Sequence, residues 1–193
     1  MRIVIDSGHS GSPDPGAVNS QTGLRESDIT LIVAKLVKAY LCAVGYEVKL
    51  TRTEWEQEET DDLSYRTALA NEWAADVFIS LHCNSAENPS AEGYEVWTSP
   101  GDTLGDALAT SLYRQIADEF PDRKGRTDYS DGDPNKESRF YVLVHTDAPA
   151  CLVEMAFISN EEEAALLADA AWQDRYARAI ARGVTDYFVA MEG

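Results

Sequence analysis

The sequence predicts an α/β fold of three layers, αβα, in which a twisted, mostly parallel sheet of about six strands carries helices on both faces. Three observations carry this. Short apolar runs alternate with stretches of helical periodicity along the whole chain. Several of those runs are continuously apolar, as expected of strands covered on both sides. The chain has 193 residues, long enough for one well-buried core and short for two, without repeats, linker or low-complexity tract. One domain over residues 1–193 is expected.

Arg2–Asp6 reads as a buried strand running into Asp6-Ser7-Gly8. Residues 7–23, rich in Gly, Ser, Pro and Asp, read as a loop without regular structure, and loops of that length in compact domains often serve function. Ile29, Ile32, Val33, Leu36, Val37, Tyr40, Leu41 and Val44 recur at three-to-four spacing, a helix with Gly45 placed to end it. Tyr46–Thr51 alternates as a second strand, Leu63–Ala75 is helical, and Val77–Leu81 is a buried strand ending at His82. Tyr94–Thr98 reads as a strand and Thr103–Phe120 as an amphipathic helix closed by Pro121. Residues 121–138 are polar and read as a surface excursion beside the cleft. Phe140–Val144 and Cys151–Met155 are expected strands. Asn160 suits the N-cap of an acidic first turn, Glu161-Glu162-Glu163, and a last helix spans about Trp172–Val189.

Composition excludes several classes. With 44% apolar and 26% charged residues the chain is not disordered. Sixteen Lys plus Arg against 34 Asp plus Glu give a formal charge of −18 and a pI near 4.4, so neither a nucleic-acid backbone nor an anionic membrane surface is an expected partner. The most apolar long stretch, Ile29–Val44, is interrupted by Lys35 and Lys38 and is too short to span a bilayer. The N-terminus offers no secretory signal, since Asp6 follows after only Ile3, Val4 and Ile5. Cys42, Cys83 and Cys151 lie in apolar surroundings with no CxxC pair, and read as free, packed thiols, Cys42 on the apolar face of the first helix.

Chemistry concentrates at strand ends. His9 follows the first strand and His82 follows Val77–Leu81, and in open parallel sheets ligands gather at the carboxyl ends of strands. One histidine in such a place is more often structural. Two of them with Glu26, at the start of the first helix, match an open catalytic zinc site of three protein ligands, although Glu26 alone is an ordinary first-turn acid. Glu154 closes the run Cys151-Leu152-Val153 and emerges at the same edge. It reads either as a partner for Arg52 or Arg139, or as a general base whose pKa partial burial raises.

The segments IDSGHSGSPDPGAV, GLRESDITL, TR, YRTALANEWAADVFISLHCNSAE and PACLVEMAFISNEEEAALL follow one another as in the zinc-dependent N-acetylmuramoyl-L-alanine amidases of the Amidase_3 family, which the chain resembles from Ile3 to about Phe188. The resemblance implies the α/β fold above, one Zn2+ per chain held by His9, Glu26 and His82, and Glu154 as the base that activates water. It implies peptidoglycan as substrate, cut at the amide between N-acetylmuramic acid and the L-alanine of the stem peptide. Cutting within the stem peptide, or wall binding without turnover, are the alternatives. Asn84, Ser85 and His145 are candidate substrate contacts, His145 alternatively a turn cap, and Arg66 and Asn71 match an R…AN pattern that orients the site. Ser7, Ser10, Cys83, Met155, Ala156 and Val144 depart from the family's usual residues. A monomer acting at the cell wall is expected, whether as a bacterial autolysin or a phage lysin.

Overall fold

The computed structural model describes residues 1–192. Strands β1 (Arg2–Ser7), β2 (Glu47–Leu50), β3 (Val77–Asn84), β4 (Glu95–Thr98), β5 (Lys136–Glu137) and β6 (Ala150–Phe157) form one sheet in the order β2-β1-β3-β6-β4-β5. The first four in that order run parallel; β4 is antiparallel to β6, and β5 is parallel to β4. Helices are α1 (Glu26–Ala43), α2 (Leu63–Glu72), α3 (Leu104–Glu119), α4 (Tyr141–Val144), α5 (Glu161–Ala168) and α6 (Ala170–Glu192).

Alternation along each strand sorts the side chains onto two unequal faces. Ile3, Ile5, Val77, Ile79, Leu81, Cys83, Val96, Cys151 and Val153 join the apolar sides of α1, α3 and α6 in the larger core. Val4, Phe78, Ala150 and Leu152 face the other way, onto Ala70 of α2 and Val142 and Leu143 of α4. This second face turns polar toward the carboxyl ends of the parallel strands: Val4 is followed by Asp6, Phe78 by Ser80 and His82, and Leu152 by Glu154. Asp6 is fully buried and made tolerable by Ser80 Oγ and Thr51 Oγ1, which donate to it at 2.6 and 2.7 Å, and by Arg66 at 3.5 Å. Together they hold its carboxyl below the usual range against the opposing effect of burial.

The expected element count is right, but one member differs. Phe140–Val144 is the helical turn α4, not a strand: Val144 and His145 N–H groups donate to the carbonyls of Phe140 and Tyr141. A five-residue apolar run has no readable period. The next residues are fixed in their turn by Asn71, whose amide donates to His145 O at 3.0 Å and accepts from Asp147 N–H at 2.9 Å. The sixth strand comes instead from the polar excursion, as β5. Cys42 is exposed, correcting its expected place on the apolar face. The buried stripe of α1 runs through Ile29, Val33, Val37 and Leu41, one step along the helix from Cys42 and so about 100° around it.

Candidate metal centre

Three elements bring His9, Glu26 and His82 together so that one ligand atom of each lies within 4.8 Å of the others. Glu26 is the centre of the group. As the first residue of α1 it sits at the positive end of the helix dipole, which favours an anion. Its Oε1 lies 2.9 Å from His82 Nδ1 and 3.1 Å from His9 Nε2, and accepts from Cys83 N–H at 2.9 Å, while Oε2 accepts from Ala17 N–H at 2.9 Å. Burial raises its pKa, but the hydrogen bonds and charges of the two imidazoles outweigh it, and the carboxyl is held far below the usual range.

His9 is presented by strained backbone, with φ of 66°, in the left-handed region that non-glycine residues seldom adopt. Arg52 holds the loop in that shape. The fully buried side chain donates to five carbonyls: His9 at 3.1 Å, Gly8 at 3.3 Å, Ser27 at 2.6 Å, Glu54 at 3.1 Å and Trp55 at 3.2 Å. Asp14 Oδ2, 2.7 Å from His9 Nδ1, orients the ring so that Nε2 turns to Glu26. Two glycines permit the approach. A Cβ on Gly8 would stand 2.6 Å from His82 Cε1, and one on Gly16 (φ 68°) 2.5 Å from His9 Cδ2 and 2.6 Å from Glu26 Oε2.

The electrostatics ask for a cation. Burial lowers the pKa of His82, yet the Glu26 hydrogen bond and charge, with Glu154 and Asp6 behind them, push it up to about 9. An imidazolium thus supplies positive charge between buried carboxylates. Two imidazole nitrogens and a carboxylate oxygen are also the donor set of an open divalent-metal site. The residues present therefore fit a metal ion.

Glu154 stands beside His82 in register on the adjacent parallel strand, its side chain on the same face. Its Oε2 is buried without a hydrogen-bond partner among the described residues. Burial raises its pKa; His82 opposes this, Glu26 and Glu95 add to it, and the carboxyl sits near 7. The expected ion-pair alternative does not hold, since Arg52 is committed to carbonyls and Arg139 is exposed.

Residues 3–186 match the Amidase_3 family, described as N-acetylmuramoyl-L-alanine amidase. The chain belongs to this family of amidases. It is 33% identical over 186 residues to the N-acetylmuramoyl-L-alanine amidase LytC of Bacillus subtilis, covering 96% of this chain and 35% of that protein. To CwlM of Bacillus licheniformis it is 34% identical over 197 residues, covering 97% of this chain and 69% of that one. Its fold is similar to the crystal structure of an N-acetylmuramoyl-L-alanine amidase from Clostridium difficile 630, with a TM-score of 0.88 and 29% identity over 98% and 97% of the two chains. The chain thus spans about a third of LytC and about two thirds of CwlM.

In this member of the family the remaining site expectations divide. Asn84 lies two residues beyond His82, past an irregularity in the β3–β6 pairing, and donates to Glu95 Oε2 at 3.1 Å. Ser85 is exposed at the same edge. His145 is not brought to the site. It stacks on Tyr141 with ring centroids 3.8 Å apart and is tied to the end of α2, near Arg2, at the opposite end of the sheet. Asn71 fastens that far loop, whereas Arg66 pairs with Asp6 beneath His82. Cys83 points away into the larger core, only its N–H reaching Glu26, and burial pushes its thiol well up.

Two groups escaped the sequence reading. Asp14 lay in a stretch, Pro13-Asp14-Pro15-Gly16, that signals only a turn. Glu95 opens a strand as an apparently ordinary acid; its pairing with Glu154 across antiparallel β4 and β6 is legible only in the sheet.

Proposed function

We propose that the chain hydrolyses the amide joining the lactyl group of N-acetylmuramic acid to the L-alanine of the peptidoglycan stem peptide, with zinc held by His9, Glu26 and His82 and Glu154 as general base. The observation that supports this reading best is the half-buried Glu154, its Oε2 buried without a partner among the described residues, beside a converging His–Glu–His set. Zinc bound there supplies a Lewis acid for the carbonyl and lowers the pKa of water toward about 7.

The chain's own residues do the rest. Glu154, with its pKa near neutrality, accepts the proton of the attacking water and returns it to the departing alanine nitrogen, so that oxygen is gained by the lactyl carbonyl and hydrogen by the amine. Asp14 and the Arg52-bound loop keep His9 from turning, and Glu26, anchored by two backbone N–H groups, holds its position as the negative ligand. The work takes place at the cell wall in this reading.

Mass spectrometry of products from defined muropeptides, with and without chelator, tests it. The expected products are a free muramic acid carboxyl and a new alanine N-terminus, abolished by chelation and restored by zinc. Cleavage between stem residues would identify a peptidase, and unchanged substrate a wall-binding module; either overturns the proposal.

A further inference from the structure

The row of polar side chains does not stop at Glu154. Across β4, Glu95 faces it from the antiparallel strand and is 3% exposed. Four donors converge on its carboxylate. Arg126 Nε and Lys136 Nζ donate to Oε1 at 2.5 and 3.2 Å, and Asn84 Nδ2 and Trp97 Nε1 to Oε2 at 3.1 and 3.0 Å. One cation would neutralise Glu95; the second is surplus.

Both cations are fixed by aromatic rings. The Arg126 guanidinium lies over Phe157, 5.1 Å from its centroid, and Lys136 Nζ over Trp97 at 4.4 Å. Their side chains are 34% and 25% exposed. Arg126 spends only Nε on Glu95: its terminal nitrogens make no hydrogen bond with the described residues. A planar fork of free donors, held rigid and half open to solvent, suits a carboxylate. Phe157 continues β6 past Glu154, so this fork lies at the carboxyl edge of the sheet, on the β4 side of Glu154; His82 and its partners lie on the β3 side. In a chain of net charge −18, two ring-seated cations held on one carboxylate at this edge are a selective feature.

We propose that Arg126 and Lys136, seated on Glu95, form an anchor for a carboxylate of the stem peptide, placing the peptide on the β4 side of Glu154 and the sugar on the metal side. The assignment rests on the amidase reading above. Its chemistry is one-sided: once the lactyl carboxyl is tied up in the amide, the muramoyl part carries no ionised group near the scissile bond. The stem peptide does carry free carboxylates, the nearest on its second residue.

The test compares two defined muropeptides that differ only at that second residue, one with a free α-carboxylate and one with the α-amide. The free acid should be preferred about ten- to hundredfold in kcat/KM, the range of a charge-assisted hydrogen bond, with the difference carried by KM because ground and transition states hold the contact alike. Arg126→Gln should bring the ratio to about one, and Arg126→Lys should restore part of it. Raising ionic strength should raise KM for the acid and leave the amide unmoved. Lys136→Gln and the salt titration of the unaltered protein decide the matter if Arg126→Gln does not fold. Equal kcat/KM for the two substrates, or a preference that survives both Arg126→Gln and Lys136→Gln, overturns the anchor while leaving the amidase reading intact. Failure to cleave either substrate overturns both.

Discussion

The start of α1 and the middle of β6 each send a glutamate into the same cleft, Glu26 buried and Glu154 half-buried, and the two are opposites. Glu26 has a partner for every direction: two imidazoles, two backbone N–H groups and a helix N-terminus. Glu154 has an oxygen with none among the described residues. Burial acts on both in the same sense, so the difference lies in hydrogen bonding and charge. Those hold Glu26 ionised far below the usual range and leave Glu154 near neutrality. The lesson is that a fully satisfied carboxylate is built to stay charged, as a ligand must, and an unsatisfied one is built to exchange a proton.

The largest expected effect bears on the ligand side. His82→Ala should lose stoichiometric zinc after dialysis and with it essentially all turnover, as chelation of the unaltered protein should. A His82→Ala protein that retains one zinc per chain by metal analysis would erase the distinction between the two glutamates.

Next comes the base. Glu154→Gln keeps shape and removes basicity, so kcat should fall about 10²- to 10⁴-fold while zinc content and wall binding stay normal. Zinc content and turnover measured on one sample separate this from a ligand role. Near-normal turnover in the zinc-loaded variant would sink the mechanism.

A smaller effect concerns the metal-free protein. Native Glu154 keeps its proton from pH 4.5 up to about 7, a range in which the unfolded chain has released it, so stability falls as pH rises through that window. His82, raised from 6.5 to about 9, stabilises most below pH 6.5, and its contribution is lost as pH rises through 9. Glu26 works the other way, its contribution being lost as pH falls below 4.5 toward its depressed value. Melting temperature without metal should therefore decline from pH 5 to pH 9, and Glu154→Gln should remove the decline below about pH 6.5, where His82 does not yet contribute. An identical decline in the variant would place the titration elsewhere.

The smallest effect is expected at Cys83, which neighbours His82 in sequence and Glu26 through its N–H, yet points into the other core. Cys83→Ala should cost about 1 kcal/mol of stability and change turnover no more than a few-fold. A large loss of turnover with zinc retained would show that the site extends through the sheet.

Much of this was determined by the sequence alone, because local periodicity and strand-end position survive without tertiary information. The α/β class, the continuous strands β1, β3 and β6, the stripe of α1 and the strand-end placement of His9, His82 and Glu154 all follow from which residues recur at which spacing. The tertiary structure decided what spacing does not encode. Phe140–Val144 became α4 because its five residues carry no period, and Asn71, far away in the chain, fixed the loop that follows. His145 went to the wrong end of the sheet for the site because it precedes a parallel strand and so enters at that strand's N-terminal edge. Whether Glu154 was paired or orphaned depended on where Arg52 spent its donors, and those five carbonyls belong to residues scattered from Gly8 to Trp55. Glu95 met Glu154 only because β4 runs antiparallel to β6, and the direction of a short edge strand is set by packing, not by its own residues.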